Sequence, residues 1–155
     1  MTVERQPGQA DRMVHVGPDP IDPASLLALV STERCGAVIL FLGTVRDHSA
    51  GKEGVTHLEY EAYEDVVNSK IREILDEAVD RWDVEDVTVV HRTGGVQLGE
   101  SSVAVAVGSP HRDAAFEAGR YIIDELKARV PIWKMEHWPG GAEWVREDLQ
   151  HQHER

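Results

Sequence analysis

The sequence predicts an α+β fold, a two-layer sandwich of mostly antiparallel sheet with helices. Segments of helical periodicity alternate with short apolar or alternating segments, in the order helix, strand, strand, helix, strand, strand, helix, strand. Glycine-rich stretches separate several strands, which favours hairpins and therefore antiparallel pairing. We expect one domain over residues 1–155, with its core at about 15–145 between a polar N-terminal arm and a polar C-terminal tail.

The first helix and the first strand are predicted from a capping signal and an apolar run. Asp22 precedes Pro23, which suits an N-cap followed by the first helical position, so the helix covers about residues 23–33. Residues 36–45 are almost continuously apolar, which predicts a strand covered on both faces. A polar, glycine-bounded loop follows at 47–54, and we expect it to be mobile.

Two kinds of periodicity define the middle of the chain. Residues 56–63 alternate as a strand does, and an apolar stripe then predicts an amphipathic helix over about 64–82. Two further strands, 87–91 and 102–108, are joined by a glycine-rich stretch at 93–99. A hairpin is the simplest connection between them.

The last helix follows Ser109-Pro110, runs to about Arg129 and is stopped by Pro131 before a strand at 132–137. Its buried stripe is predicted from residues that recur at intervals of three or four, namely Phe116, Gly119, Ile123, Leu126 and Val130.

Two of the chain's four lysines lie on either side of Pro131. Lys127 falls on the flank of the buried stripe, so its stem should be partly buried while its amine reaches the edge of a cleft. Lys134 lies on the following strand, on the same face as Glu136. A catalytic pair is one interpretation. The alternative is a solvated lysine near a helix C-terminus and a lysine paired with Glu136.

Three other basic residues lie where anions are commonly bound. His111 and Arg112 fall in the opening turn of the last helix, whose free N–H groups and dipole favour an anion. Arg46 ends a strand and opens a loop. The alternatives are structural, with Arg112 paired to a carboxylate such as Asp113 and Arg46 in a surface ion pair.

The length of the last helix separates these basic residues within one chain. His111 and Lys127 are sixteen residues apart, which is roughly 24 Å in a straight helix. One small ligand cannot contact both. Either they serve different sites, or His111 and Arg112 complete the lysine site of a second subunit across a two-fold interface, and we favour the homodimer.

Composition excludes several classes of protein. A net charge of -12 argues against nucleic acid or an anionic membrane as partner. Cys35 is the only cysteine, which excludes an internal disulfide and a multi-cysteine metal site and fits a reducing compartment. No apolar run approaches the roughly 20 residues of a membrane span, and residues 1–12 lack the apolar core of a signal peptide. We expect a cytoplasmic protein.

Five motifs, met in order between residues 36 and 145, closely resemble the large, catalytic subunit of molybdopterin synthase. They are Phe41-x-Gly-x-Val-Arg46, Leu58-Glu-Tyr-Glu-Ala-Tyr63, His91-Arg92-x-Gly94, Ser109-x-His-Arg-x-x-Ala-Phe116 and Asp124-x-Leu-Lys127-x-x-x-Pro-x-Trp-Lys134. The resemblance implies the α/β hammerhead fold of that subunit. It also implies transfer of sulfur from the C-terminal Gly-Gly thiocarboxylate of a small ubiquitin-like partner to cyclic pyranopterin monophosphate, which forms the dithiolene of molybdopterin.

The same resemblance implies roles for individual residues. Lys127 and Lys134 match the family's catalytic lysines. The positions that match its substrate site are Arg46, His111 and Arg112, of which the last two come from the neighbouring subunit, and Phe41 and Ile123 in the apolar wall. The family forms a homodimer at the centre of a heterotetramer. No cofactor and no metal are implied.

Two alternatives come from other classes of protein. The strand and helix order over 56–137 also suits a ferredoxin-like regulatory module that binds a small anion without catalysis. Eight histidines would allow a metal-binding protein, but those at 48, 57, 91, 111 and 137 have no helical two-ligand spacing. We therefore expect no metal site.

Overall fold

The structure, a computed structural model, describes residues 11–49, 52–146 and Asp148. No helix in these ranges is long and apolar enough to cross a membrane. The elements are, in chain order, β1 (Asp11–Gly17), α1 (Pro23–Val30), β2 (Ala37–Thr44), β3 (His48–Ser49), β4 (Lys52–Glu53), β5 (His57–Glu61), α2 (Glu64–Arg81), β6 (Asp86–Arg92), β7 (Gly94–Gln97), β8 (Ser101–Ser109), α3 (Arg112–Arg129), β9 (Trp133–Trp138) and β10 (Gly141–Arg146).

The strands form two four-stranded sheets and one small hairpin. The first sheet has the order β1-β6-β8-β2 and the second has the order β10-β9-β5-β7, while β3 pairs with β4. Every pair is antiparallel except β1 with β6. Helices α2 and α3 pack on each other, and α3 also packs on β8 and β2. This arrangement confirms the predicted α+β sandwich.

The sheet order is incompatible with the ferredoxin-like alternative. That fold needs the four strands between residues 56 and 137 in one sheet. Here β6 and β8 belong to the first sheet, whereas β5 and β9 belong to the second. The glycine-rich connection between β6 and β8 explains the difference, because Gly94–Gln97 forms a strand of its own that pairs with β5. The predicted antiparallel pairing of β6 with β8 is confirmed.

The prediction that β2 is covered on both faces was wrong. It is an edge strand of the first sheet, and Val38 and Phe41 are 37% and 38% exposed. The neighbouring strand β8 lies in the interior of the sheet and has the burial that was expected of β2, with Ser102–Ser109 all buried. A continuous apolar run indicates that both faces of a strand can be buried. The order of strands in the sheet decides whether the strand lies in the interior or at the edge.

Helix α3 buries a face that was only partly predicted. Gly119, Leu126 and Val130 are buried, but Phe116 is 64% exposed, which contradicts its place in the stripe. The other buried side chains are small or branched, namely Ala115, Ala118, Ile122 and Ala128. Small residues allow the helix to approach the sheet closely, so alanine and glycine mark the buried face better than the large aromatic ring did.

An ion pair fastens the C-terminal half of α3 to α2. The Arg129 guanidinium donates to both carboxylate oxygens of Glu77, at 2.7 and 2.9 Å, and the Tyr121 hydroxyl donates to Glu77 at 2.7 Å. The bonds from Arg129, and then that from Tyr121, lower the pKa of Glu77 to about 2. The end of α3 that carries Lys127 is thereby held in a fixed position.

Five strands were not predicted, for reasons that differ. β1 pairs in parallel with β6, whose partner residues lie 75 positions away, and β10 completes the edge of the second sheet. β3 and β4 fold part of the loop predicted at 47–54 into a short hairpin, and β7 uses glycines that strands rarely contain. The predicted helices and the other five strands are confirmed within a few residues.

Candidate active site

A cavity of about 240 Å³ brings together three of the basic residues predicted from the sequence, Arg46, Lys127 and Lys134. Residues of both sheets and of α3 line it, namely Gly43, Thr44, Arg46, His48, Val55, Leu58, Tyr60, Ser102, Lys127, Lys134 and Glu136. Three basic side chains around one small space make it suited to anionic groups.

Each of the three reaches the cavity from a different element. Lys127 lies in the last turn of α3, half-buried as its place on the flank of the stripe predicted. Lys134 lies on β9 directly opposite Tyr60 of β5. Arg46 lies two residues beyond the end of β2, and its Nε donates to the carbonyl of His48 at 3.0 Å, which orients the guanidinium.

A buried carboxylate forms part of the cavity wall. Glu136 is 1% exposed and lies on the same face of β9 as Lys134. The ammonium of Lys52 donates to Glu136 at 3.0 Å and forms an ion pair with Glu143 at 2.6 Å, and it lies 5.1 Å from the centre of the Trp138 ring. Lys52 thus holds Glu136 in the wall that also carries Lys127 and Lys134.

The Lys52 amine stays protonated in this setting. Its burial alone would lower its pKa, but the hydrogen bonds to Glu143 and Glu136 outweigh burial and raise the pKa above its usual value. Lys52 therefore joins the β3–β4 hairpin to β9 and β10 by charge. Its rarity is the one signal that could have identified this residue, because Lys52 is one of only four lysines.

Four predicted site residues lie outside this cavity. His111 is the N-cap of α3 rather than part of its first turn, and Arg112 is the first helical residue; both are exposed. Within the described residues, neither side chain has a hydrogen bond or an ion pair. Phe41 lies on the edge strand β2, and Ile123 packs half-buried against the larger core.

One continuous helix separates His111 and Arg112 from Lys127, as the sequence predicted. α3 is a single helix over Arg112–Arg129, so the separation of His111 from Lys127 remains roughly 24 Å. Within one chain, then, Lys127 and Arg112 do not reach the same small ligand.

A larger groove of about 800 Å³ adjoins the cavity, and Tyr60 lines both. Large apolar side chains are exposed along it, with Tyr63 84%, Val66 48%, Trp133 43% and Trp144 41% exposed. The sequence analysis did not identify this groove, because its walls come from β5, the start of α2, β9 and β10. Exposed aromatic residues next to a cavity are typical of a protein-binding surface.

Comparison with known proteins decides the family. A family model described as MoaE protein matches residues 16–129 of this chain. The chain belongs to the MoaE family.

Proteins of known name are similar over most of the chain. One from Bacillus subtilis (strain 168), called molybdopterin synthase catalytic subunit, is 40% identical over 131 residues, which cover 84% of this chain and 83% of that protein. One of the same name from Culex quinquefasciatus is 46% identical over 130 residues, covering 81% and 82%. The X-ray crystal structure of molybdopterin synthase from Staphylococcus aureus is 36% identical, with a TM-score of 0.79 and coverage of 84% and 95%. The resemblance read from the five motifs is confirmed.

Proposed function

We propose that this MoaE-family chain is the catalytic subunit of a molybdopterin synthase. It transfers sulfur from the C-terminal thiocarboxylate of a small ubiquitin-like partner to cyclic pyranopterin monophosphate, and so forms the dithiolene of molybdopterin. The observation that supports this most is the convergence of Arg46, Lys127 and Lys134 on one small cavity. A regulatory anion-binding module is not favoured, because neither the sheet order nor the family agrees with it.

The charges of the cavity suit the charges of this reaction. The substrate phosphate and the partner's thiocarboxylate are both anions, which Arg46 and the two lysines can neutralise. Attack of sulfur on the pterin side chain requires a proton to be delivered and removed, which we assign to Lys127 as general acid and base. Lys134 stabilises the negative charge that develops.

We propose that a second copy of the chain completes the site with His111 and Arg112. Both are exposed at the N-terminus of α3, and Arg112 lies where the helix dipole disfavours a cation unless an anion is present. A substrate phosphate held by the partner copy's helix end would supply that anion. Phe41, exposed on the edge strand, and Ile123 would contribute apolar contacts to this composite site.

The sulfur-carrying partner would dock on the groove beside the cavity. Its flexible Gly-Gly tail must reach Lys127, and Tyr60 lines both the groove and the cavity. The exposed Tyr63, Trp133 and Trp144 provide the apolar contact area that such an interface needs. The assembly would be a heterotetramer, with the catalytic homodimer at its centre and one partner protein on each copy.

Residues 1–155 would act as one domain in the cytoplasm. The single cysteine, Cys35, fits a reducing compartment, and no step of the proposed reaction requires a cofactor.

The decisive experiment reconstitutes the reaction with thiocarboxylated partner and pyranopterin phosphate. With substrate below the concentration that saturates R112A, wild-type chain should yield the dithiolene product, while K127A and R112A should each yield little. Absence of product from the wild-type chain would reject the function itself.

Mixing the two variants then tests the composite site. A mixed dimer holds one site built from intact Lys127 and the intact Arg112 of the other copy, and one site that lacks both. If half of the dimers are mixed, about a quarter of wild-type activity should return. No recovery, in a sample shown to contain mixed dimers, would place both residues in the same chain's site.

A further inference from the structure

We propose that His57, Glu59 and His137 form a binding site for a divalent transition-metal ion, with Zn²⁺ as the test ion. The three side chains lie on the outer face of the second sheet, opposite the face that carries Tyr60 and Lys134. Their ligand atoms lie within 4.8 Å of one another. The cluster is separate from the sulfur-transfer cavity, and the proposal does not depend on that reaction.

The strand register places the ligands together. His57 of β5 is paired directly with His137 of β9, and Glu59 lies two residues further along β5 on the same face. The two imidazole rings stack, with their centroids 4.1 Å apart and an interplanar angle of 11°. Histidine spacing along the sequence does not reveal this pair, because the two residues are 80 positions apart and meet only on neighbouring strands.

A threonine hydroxyl next to His57 favours the form of the ring that is protonated on Nδ1. Thr56 Oγ1 lies 3.1 Å from His57 Nδ1 and donates its hydrogen to the carbonyl of His137 at 3.4 Å. Because the hydroxyl has only one hydrogen, it then accepts a hydrogen bond from Nδ1–H. The lone pair is then on Nε2, which is the nitrogen that faces Glu59. Metal-binding histidines are commonly oriented by such a second hydrogen bond.

Both Nε2 atoms face the same carboxylate oxygen. Glu59 Oε1 lies 3.4 Å from Nε2 of His137 and 4.0 Å from Nε2 of His57. Nε2 of His137 is buried and has no hydrogen bond within the described residues, which is costly for a polar atom that nothing compensates. An ion between these three atoms would satisfy it.

To close around an ion, one imidazole must turn out of the stack and the Glu59 carboxylate must rotate toward the pair. Two ligands of a tetrahedral zinc ion, each at about 2.0–2.1 Å, lie roughly 3.4 Å from each other. Glu59 is 47% exposed and can rotate toward the two imidazoles. Two imidazoles and one carboxylate suit Zn²⁺, Ni²⁺ or Cu²⁺ and are a poor set for Mg²⁺ or Ca²⁺. The fourth position would be open to water, and the bound ion would clamp β5 to β9.

Zinc affinity of the full-length chain, measured by competition with a chromophoric chelator, tests the site. His151 and His153 are replaced by glutamine in every sample so that these tail histidines do not contribute. One zinc ion should bind per chain, and H57Q, H137Q and E59Q should each weaken binding by at least about tenfold. H15Q, which changes an exposed histidine of β1, should bind as the parent does.

Two further measurements separate a coordination site from a histidine–carboxylate ion pair. Cobalt(II) should give visible d–d absorption that H137Q abolishes, and T56V should weaken zinc binding although it removes no ligand. Circular dichroism verifies that each variant is folded. Equal zinc affinity in parent and H137Q, or no binding by the parent, would overturn the proposal and leave an ion pair only.

Discussion

The basic residues at the two ends of helix α3 differ in their contacts within the chain. At the C-terminal end, Lys127 lines a cavity and Arg129 is held by Glu77 at 2.7 Å. At the N-terminal end, His111 and Arg112 are exposed, and the helix dipole is unfavourable to Arg112. A cation near a helix C-terminus needs no functional explanation, whereas one at the N-terminus gains from an anion supplied by another molecule. The comparison supports a site shared between two copies.

The largest effect should come from removing the amine at the C-terminal end. K127A should lower the rate of product formation by about 10²–10⁴-fold, because general acid–base catalysis typically contributes that much. Reconstitution with thiocarboxylated partner measures it. K70A is the matched control, since Lys70 is exposed on α2, where it forms an ion pair with Glu73. Comparable loss in both variants, or turnover by K127A at the wild-type rate, would contradict the assignment.

At the N-terminal end, the expected effect is on binding. R112A should weaken the affinity for pyranopterin monophosphate by roughly tenfold to a hundredfold, because hydrogen bonds to charged groups contribute about 1.5–3 kcal/mol. Isothermal titration of the dimer measures it. R120A changes an exposed arginine of the same helix, in an ion pair with Asp124, and should bind normally. Equal affinity of R112A and wild type would remove the N-terminal end from the substrate site.

The wall of the cavity opposite α3 offers a third test. K52M leaves the buried Glu136 without its 3.0 Å ion pair, which should lower the free energy of unfolding by about 2–3 kcal/mol. Urea denaturation at neutral pH measures it, with K70M as control. Because the pKa of Lys52 is raised, this stabilisation is present below its ordinary value of 10.5 and is lost as pH rises through the folded pKa. A stability difference that persists unchanged above that pH would contradict it.

The smallest effect on stability should come from removing the Glu77–Arg129 ion pair, which holds the C-terminal end of α3. The pKa of Glu77 is lowered from 4.5 to about 2, so its contribution to stability is present above about 4.5 and is lost as pH falls toward 2. Glu77 is partly exposed, so E77Q should cost only about 1 kcal/mol at neutral pH. The difference from wild type should vanish in acid. E73Q, on the exposed face of α2, should show no such pH dependence.

Much of the fold followed from local pattern. The extents of α2 and α3 and of the strands next to them were predicted within a few residues, because each pattern depends on residues close in sequence. The errors at β2 and Phe116 have a common cause. Apolar character states that a side chain can be buried, but the neighbours that bury it come from elsewhere in the chain.

The sequence by itself determined the family, the main helices and strands, and the placement of Lys127 on the flank of a buried stripe. Only the tertiary structure decided that Arg46, Lys127 and Lys134 share a cavity, that Lys52 meets Glu136 across 84 positions, and that the groove lies beside them. The physical reason is the separation along the sequence of the residues that interact. Helical and strand periods depend on residues a few positions apart, whereas cavities and cross-strand pairs depend on register and sheet order, which residues distant in sequence fix together.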